Sequence, residues 1–515
     1  MLLKEASVLS LRLGDYYLVL EPAIPDGLDK QLSYWQKSLT PDPDAPWTRK
    51  SSGRMRALYH RDQGLIQDDG SLGERLTTLP GFYSRITNWL TEGSVAFEVK
   101  DERTPRPPIW EQGLGAIAPN LCRSQLEGVA TALSLGYGRI SAPTGWGKTR
   151  VMAAILSAFN PQDLRDRHTP LSAVVTPGVD VAEKNARELA ELLPGRKISS
   201  IGGGKHGEAA DIVVITPESL DNLDASMIGV LIYDEVHTLS ESRANTVSAA
   251  HKALKFGFSA SCEGRFDNAD KISEGVFGPI VYTCTYPQAV AEGRVVPIEV
   301  LWLEVPRPEL HANWSSSNLS RDARYRHGLW RNMPLHQKLG SLCKTLPADA
   351  QVLMIADKLE HVNYLLPELS PDTVQVHAKS DDIVGPRSRY GNITKISTKE
   401  RRRIYKDIES GAIKRIVSTG IYRQGVSFPQ VAVVVNLGGG GSKIAAQQLP
   451  GRASRHAEGK STGLIVDLWF SWDRVEDGFD DDLNPKLKNG FLLSDCLSRK
   501  KVYEKLGFTQ TYLGG

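Results

Sequence analysis

Two short strings hold the residues best suited to chemistry. Ala142-Pro143-Thr144-Gly145-Trp146-Gly147-Lys148-Thr149 sets two glycines, a lysine and a hydroxyl ahead of a helical segment. Gly145 and Gly147 let backbone amides approach phosphate oxygens with no Cβ in the way. The helix that follows aims its amino end at the same anion. Lys148 suits the β- and γ-phosphates of a nucleoside triphosphate, and the Thr149 hydroxyl suits the shell of a Mg²⁺ ion. Ala142 stands where this pattern usually starts with Gly, and Trp146 is a bulky occupant between two glycines. The second string, Asp234-Glu235-Val236-His237, ends an apolar run. Adjacent residues at a strand end diverge, so Asp234 is free to hold Mg²⁺ while Glu235 acts as base or positioner for an attacking water. His237 is read as a link from this site to a neighbouring domain.

A third string, Gln448-Leu449-Pro450-Gly451-Arg452-Ala453-Ser454-Arg455, lies far along the chain. Arginines stabilise charge developing on a γ-phosphate, and supplying them from another domain makes hydrolysis depend on domain closure. Arg452 and Arg455, three apart, are expected on one helical face.

The elements that must position these strings alternate between short apolar strands and helical segments. Arg139-Ile140-Ser141, Ala173 to Val175, Ile212 to Ile215, Leu231 to Tyr233 and Phe256 to Phe258 form one series. Val352 to Ile355, Val374 to Val376, Ile416-Val417, Val431 to Val435 and Leu464 to Val466 form a second. Such alternation implies parallel sheets with helices on both faces, hence two α/β domains of similar size, with both phosphate-directed strings at carboxyl ends of strands.

Residues 1–110 read as a separate small module closed by Pro105, Pro107 and Pro108. In it Phe82, Ile86, Trp89 and Leu90 recur at helical spacing and are read as core, and Val95, Phe97 and Val99 alternate like a half-buried strand. Arg49, Lys50, Arg54, Arg56 and Arg61 around Tyr59 and His60 suit a nucleic-acid backbone, although such a charge run is more often a solvated face. The segment from Ser380 to Thr398, with Arg387, Arg389 and Lys395, is read as a solvated loop rather than a duplex contact. The tail carries an acidic stretch and a helix expected from Leu497 to Leu506.

At 515 residues the chain is too long for one core. With 62 basic against 60 acidic residues its net charge is +2, so any polyanion surface must be a local patch. Cys122, Cys262, Cys284, Cys343 and Cys496 are odd in number and without a Cys-x-x-Cys pair, which argues against a disulfide framework, zinc ribbon or iron–sulfur cluster. No signal peptide or run of about 18 apolar residues is found. The expectation is a soluble, cytoplasmic chain with no membrane partner, in the host cytoplasm if phage-encoded.

The order and spacing of the motifs over residues 115–470 resemble those of superfamily-two helicases and translocases with two tandem RecA-like domains. The resemblance implies ATP and Mg²⁺ as cofactors. It also implies an adenine-reading element at Arg123 and Gln125, nucleotide contacts from Thr144 through Thr149 and from Gly425, and catalytic roles for Lys148, Glu235, Gln448, Arg452 and Arg455. Thr176, Pro177, Thr216, Thr419 and Arg423 match strand-gripping motifs, and Ser259 and Ser261 a Ser-Ala-Thr coupling motif used with His237. Taken singly, Gln125, Thr176, Thr216 and Thr419 are as well read as cap or turn residues. Leu449 stands where the family often has an Arg, and Ser261 where it has Thr.

Phe277-Gly278-Pro279-Ile280, Gly293 to Pro297, Leu79 to Tyr83 and Ser498 to Tyr503 are similar to elements of the branch containing the XPB and phage UvsW helicases. The layout this implies is an accessory module at 1–110, RecA-like domains at 111–300 and 301–470, and a tail at 471–515. The implied activity is ATP-dependent movement on or remodelling of branched DNA in recombination, repair or fork processing. An RNA helicase on the same motor, or an ATP-dependent clamp that does not unwind, are the alternatives. Oligomeric state is left open.

Overall fold

The computed structural model describes residues 8–42, 45–66, 72–202, 210–265, 267–308, 314, 319–376, 382–383, 394–395, 398–419, 428–479 and 485–513. Arg423, Gly425, Arg387 and Arg389 lie outside them, as do the side chains of Arg49, Lys50 and Lys395. The chain divides into two compact units: Met1–Thr40 with Ser51–Ala142 and Gly147–Cys284, and Pro41–Lys50 with Pro143–Trp146 and Thr285–Gly515.

The first unit opens with a five-stranded mixed sheet, ordered Tyr59–Ile66, Leu72–Thr78, Leu18–Glu21, Leu9–Leu13, Phe97–Asp101. Alternate leucines Leu9, Leu11 and Leu13 point to one face and are buried against Phe82, Ile86 and Leu90 of the helix Tyr83–Glu92 and its approach. The aromatic stripe is therefore core. Phe97–Asp101 forms a strand, but an edge strand paired only with Leu9–Leu13, so Val99 is exposed rather than half-buried. The guanidinium of Arg85 grips both oxygens of Glu274 at 2.7 Å, which ties the module to the helix Asp270–Phe277. Gly81 abuts the same helix so closely that a Cβ there would lie 2.2 Å from the Glu274 carbonyl.

The second sheet of this unit is parallel and seven-stranded. Its strands are β1 (Tyr137–Ser141), β2 (Leu171–Val175), β3 (Ile198–Ile201), β4 (Ile212–Ile215), β5 (Ile228–Asp234), β6 (Leu254–Ser259) and β7 (Ile280–Thr283), in the order β3-β4-β2-β5-β6-β1-β7. Covered on both faces, β4 and nearly all of β5 are continuous buried apolar runs. The helices α1 (Arg123–Leu135), α2 (Lys148–Ser157) and α3 (Val179–Leu192) pack on it. In α2 every residue from Val151 to Ser157 is buried, as a helix without a polar face must be.

The second unit holds another parallel sheet of seven strands: β8 (Ile298–Glu304), β9 (Gln351–Ala356), β10 (Val374–Val376), β11 (Arg415–Ser418), β12 (Val431–Leu437), β13 (Gly463–Trp469) and β14 (Thr509–Leu513), ordered β10-β11-β9-β12-β13-β8-β14. It carries the helices α4 (Lys443–Gln448), α5 (Pro450–Ala453) and α6 (Phe491–Lys505). A boundary between 300 and 301 falls inside β8. The tail is no appendage either, because β14 pairs with β8 and α6 begins at Phe491, well before Leu497. β8 lies between β13 and β14, and β14 is the edge strand beside it, pairings between segments far apart in the chain that pattern alone does not show. No described helix is long and apolar enough to cross a membrane.

Candidate nucleoside triphosphate site

The register of the first sheet lines up the ends of its chemistry-bearing strands. Asp234 on β5 pairs with Phe258 on β6, which pairs with Ile140 on β1, and Ser259 pairs with Ser141 one residue further on. All of these lie at carboxyl ends, where parallel sheets present ligand sites.

The loop from β1 enters α2 through Gly147, whose φ of 98° lies in the left-handed region. A Cβ on it would sit 2.6 Å from Gln125 Nε2, so only glycine fits there. No side chain caps α2, which leaves its first amides for an anion. Lys148 Nζ reaches back toward the Ala142 carbonyl at a long 3.4 Å. Thr144, Gly145 and Thr149 are half-buried along the loop. Trp146 is fully buried, so its bulk stays out of the solvent face of the loop.

Gln125 is fully buried, and its Oε1 accepts from the Cys122 amide at 3.0 Å in a capping box for α1. It therefore serves as a cap and as the wall behind Gly147. Arg123 Nε donates to Glu127 at 2.9 Å on an open surface.

Glu235 adopts φ 53°, ψ 50°, a left-handed conformation that costs a non-glycine residue about 1 kcal/mol or more. This turn swings its carboxylate under a hydrogen-bonded trio. Ser259 Oγ donates to Glu235 Oε2 at 3.2 Å, lies 2.8 Å from His237 Nδ1 and accepts from the Ser261 amide at 3.0 Å. A hydroxyl has one proton and two lone pairs, so His237 carries its proton on Nδ1 and donates. His237 Nδ1 is also 3.3 Å from Glu235 Oε2. Ser261 joins through its backbone, and its own hydroxyl is buried without a partner among the described residues. In this conformation it is Ser259 that carries the link.

The two carboxylates titrate in opposite directions. Burial raises Asp234, the neighbouring Glu235 raises it further, and Lys148 opposes both. Burial also pushes Glu235 up, but the hydrogen bond from His237, the Lys148 charge and Ser259 outweigh it and hold Glu235 low. One half-buried ammonium faces two carboxylates, an imbalance that a divalent cation relieves. The Thr149 hydroxyl and Asp234 carboxylate are hard oxygen donors, the kind Mg²⁺ takes alongside phosphate and water.

The remaining residues fall elsewhere in the two units. Thr176 follows β2 and is fully buried, its amide bonded to the Ile215 carbonyl and its hydroxyl accepting from Asn185 at 3.3 Å. Thr216 follows β4, also buried, with its hydroxyl donating to Ser219. Neither hydroxyl faces solvent, whereas Pro177 and the open amino end of α3 beyond it do. Thr419 follows β11, with its amide bonded to Val376. Gln448 ends α4 and Arg452 lies in α5, both buried. Arg455 is two residues beyond the end of α5, so the two arginines do not share a helical face. Pro450 breaks the helical run and starts a turn that stops at Ala453.

Residues 131–264 match the family model described as the res subunit of type III restriction enzymes, and residues 338–457 match that of the helicase conserved C-terminal domain. The first span contains Lys148, Asp234, Glu235 and Ser259, the second Thr419, Gln448, Arg452 and Arg455. The chain belongs to the superfamily-two helicases. Its engine class is the helicase ATPase.

Among relatives, this helicase is 26% identical over 371 residues to the DNA 3'-5' translocase XPB2 of Sulfurisphaera tokodaii, covering 67% of this chain and 80% of the relative. It is 23% identical over 364 residues to the putative helicase 22 of a Sulfolobus islandicus filamentous virus, covering 66% of this chain and 61% of that protein's length. The structure of S. cerevisiae Dbp5 bound to RNA and ADP BeF3 has the same fold, with a TM-score of 0.53 and 14% identity over 78% of this helicase and 94% of that chain.

Sequence reading missed Arg265. Its Nη1 donates to the carbonyls of His237 and Leu239 at 2.7 and 2.8 Å, and Asp267 holds the guanidinium in place. That clamp fixes the turn beyond Glu235. No spacing rule links an arginine to a turn some 28 residues earlier.

Proposed function

We propose that this helicase is an ATP-dependent DNA translocase that remodels branched DNA. The observation that carries the reading is the Glu235–Ser259–His237 trio, a carboxylate held low by its hydrogen bonds and by the charge of Lys148 on the neighbouring loop. In this reading ATP lies on the loop with its phosphates on Lys148 and the α2 amides. Thr149 and Asp234 hold Mg²⁺, which when bound neutralises charge on the phosphates. Glu235 orients the water and accepts its proton. Arg452 and Arg455 act as finger candidates from the second unit, and Gln448 accompanies them. Pro177, Thr216, Thr419 and Arg423 belong to the strand-contacting segments, and residues 1–110 form an accessory module.

DNA rather than RNA is favoured by the resemblance to XPB2, named as a DNA translocase. The test is ATPase and strand-displacement activity on single-stranded, duplex, forked and four-way DNA and on RNA of equal length. Greatest stimulation by forked or four-way DNA is expected. Equal or greater stimulation by RNA overturns the DNA assignment. Wild-type stimulated ATPase in Lys148→Ala, Glu235→Gln and Arg455→Ala alike overturns the motor.

A further inference from the structure

At the amino ends of β1 and β6 the first unit contains a cavity of about 320 Å³, walled by the N-terminal module on one side and the sheet on the other. Strand length puts it roughly 13 Å from the carboxyl edge that carries Asp234 and Lys148. Five cations line it: Arg103, Arg106, Arg167, Lys252 and Lys255. The acids lining it are Asp15 and Asp101.

Both acids are engaged. Asp101 takes Arg103 through Nε at 2.8 Å and Nη2 at 2.5 Å. Asp15 accepts the amide and hydroxyl of Thr104. Arg106 and Arg167 donate to the neutral carbonyls of Ser134 and Pro105, and neither has a carboxylate partner among the described residues. Arg106 is seated over Gly136, where a Cβ would lie 2.8 Å from its guanidinium.

Lys255 is the decisive group. It is the second residue of β6, paired between Leu231 and Tyr137 in the middle of the sheet, and is 8% exposed. Its side chain makes no hydrogen bond or ion pair among the described residues. Burial pulls its pKa down to about 8, with Asp15 alone opposing. An unpaired lysine in a central strand is costly unless something supplies negative charge.

We propose that this cavity binds a phosphate group and is a second anion site, separate from the Lys148 loop. Arg106, Arg167, Lys252 and Lys255, four cations without carboxylate partners among the described residues, line a space of ligand size, and a phosphate supplies both the charge and several acceptor oxygens. The source is either a free phosphate compound or the terminal phosphate of a strand.

The experiment uses the full chain carrying Lys148→Ala, so that the loop contributes little, with pyrophosphate as probe in isothermal titration. Saturable binding is expected, weakened at least tenfold by adding Lys255→Met or Arg106→Gln. Arg106 is exposed, so its replacement keeps the test alive if Lys255→Met misfolds. Absence of saturable binding, or affinity within twofold in both variants, overturns the site. Oligonucleotides with and without a 5'-phosphate separate the sources. A preference for the phosphorylated end that Lys255→Met removes identifies a strand end, and pyrophosphate binding without that preference identifies a free anion.

Discussion

Each α/β unit places a carboxylate near the end of a strand, and the two are treated in opposite ways. On β13, Asp467 is fully buried and fully satisfied. It accepts Arg499 Nε and Nη2, each at 2.9 Å, Tyr503 at 2.8 Å, Asn436 at 3.1 Å and the Leu468 amide at 2.7 Å. Arg499 Nη1 donates to the carbonyls of Gly439 and Gly440, and Nη2 also reaches the Leu468 carbonyl. On β5, Asp234 accepts the Glu235 amide, sits beside a second carboxylate and is followed by a left-handed residue. The first arrangement closes a fold by locking α6 onto β13. The second holds charge imbalance and backbone strain in place, features that cluster at functional sites.

The largest expected effect breaks the satisfied side. Arg499→Met leaves Asp467 buried without its cation and should lower the stability of the second unit by about 3–5 kcal/mol. Urea unfolding followed by tryptophan fluorescence reads this, and Asp467→Leu combined with Arg499→Met should recover much of the loss. If single and double variants are equally unstable, ion pairing is not what holds α6.

On the unsatisfied side the same kind of change should cost activity and not stability. Glu235→Gln is expected to reduce stimulated ATPase by about 10²–10³-fold. Glu235→Asn, which tolerates the left-handed region, should abolish turnover while raising stability by about 1 kcal/mol. A loss of stability in both would erase the contrast between the two carboxylates.

Acid sharpens the comparison through a second buried pair in the second unit. His336 and His361 are fully buried with ring centroids 5.2 Å apart, and burial pulls them down to about 4 and about 3. Below the unfolded value near 6.5 the unfolded chain binds more protons, so stability is full above that pH and lost as pH falls. Each ring should remove up to about 1.4 kcal/mol per pH unit below 6.5. His361→Leu should flatten the dependence seen in thermal melts between pH 6.5 and 4.5.

The smallest effect concerns the link. Ser259→Ala removes the hydroxyl that joins His237 to Glu235 and should lower kcat about tenfold with KM unchanged. Ser261→Ala should do much less, because its hydroxyl has no partner. Steady-state kinetics with saturating DNA separates the two, and equal losses would mean the motif acts through its backbone alone.

By itself the sequence determined the parts that depend on neighbours along the chain. Apolar runs became the central strands, glycines marked the turn into α2, and the adjacent acids fell at a strand end, because those features follow from local sterics and period. What only tertiary structure decided depends on contacts far apart in sequence. Ser259 rather than Ser261 carries the link, because β6 lies beside β5. Thr176 and Thr216 turn their hydroxyls inward, which no count of caps and turns foretells. Arg455 escapes the helix that Pro450 shortens. Arg499, one more cation on a basic tail, is an interior ligand of Asp467 because α6 lies across β13. Lys255, unremarked in the chain, becomes a buried charge with no partner among the described residues once the amino-terminal module packs over the start of its strand. Charge in a sequence has a sign but no dielectric, and folding supplies the dielectric that decides which charges hold the structure and which await a ligand.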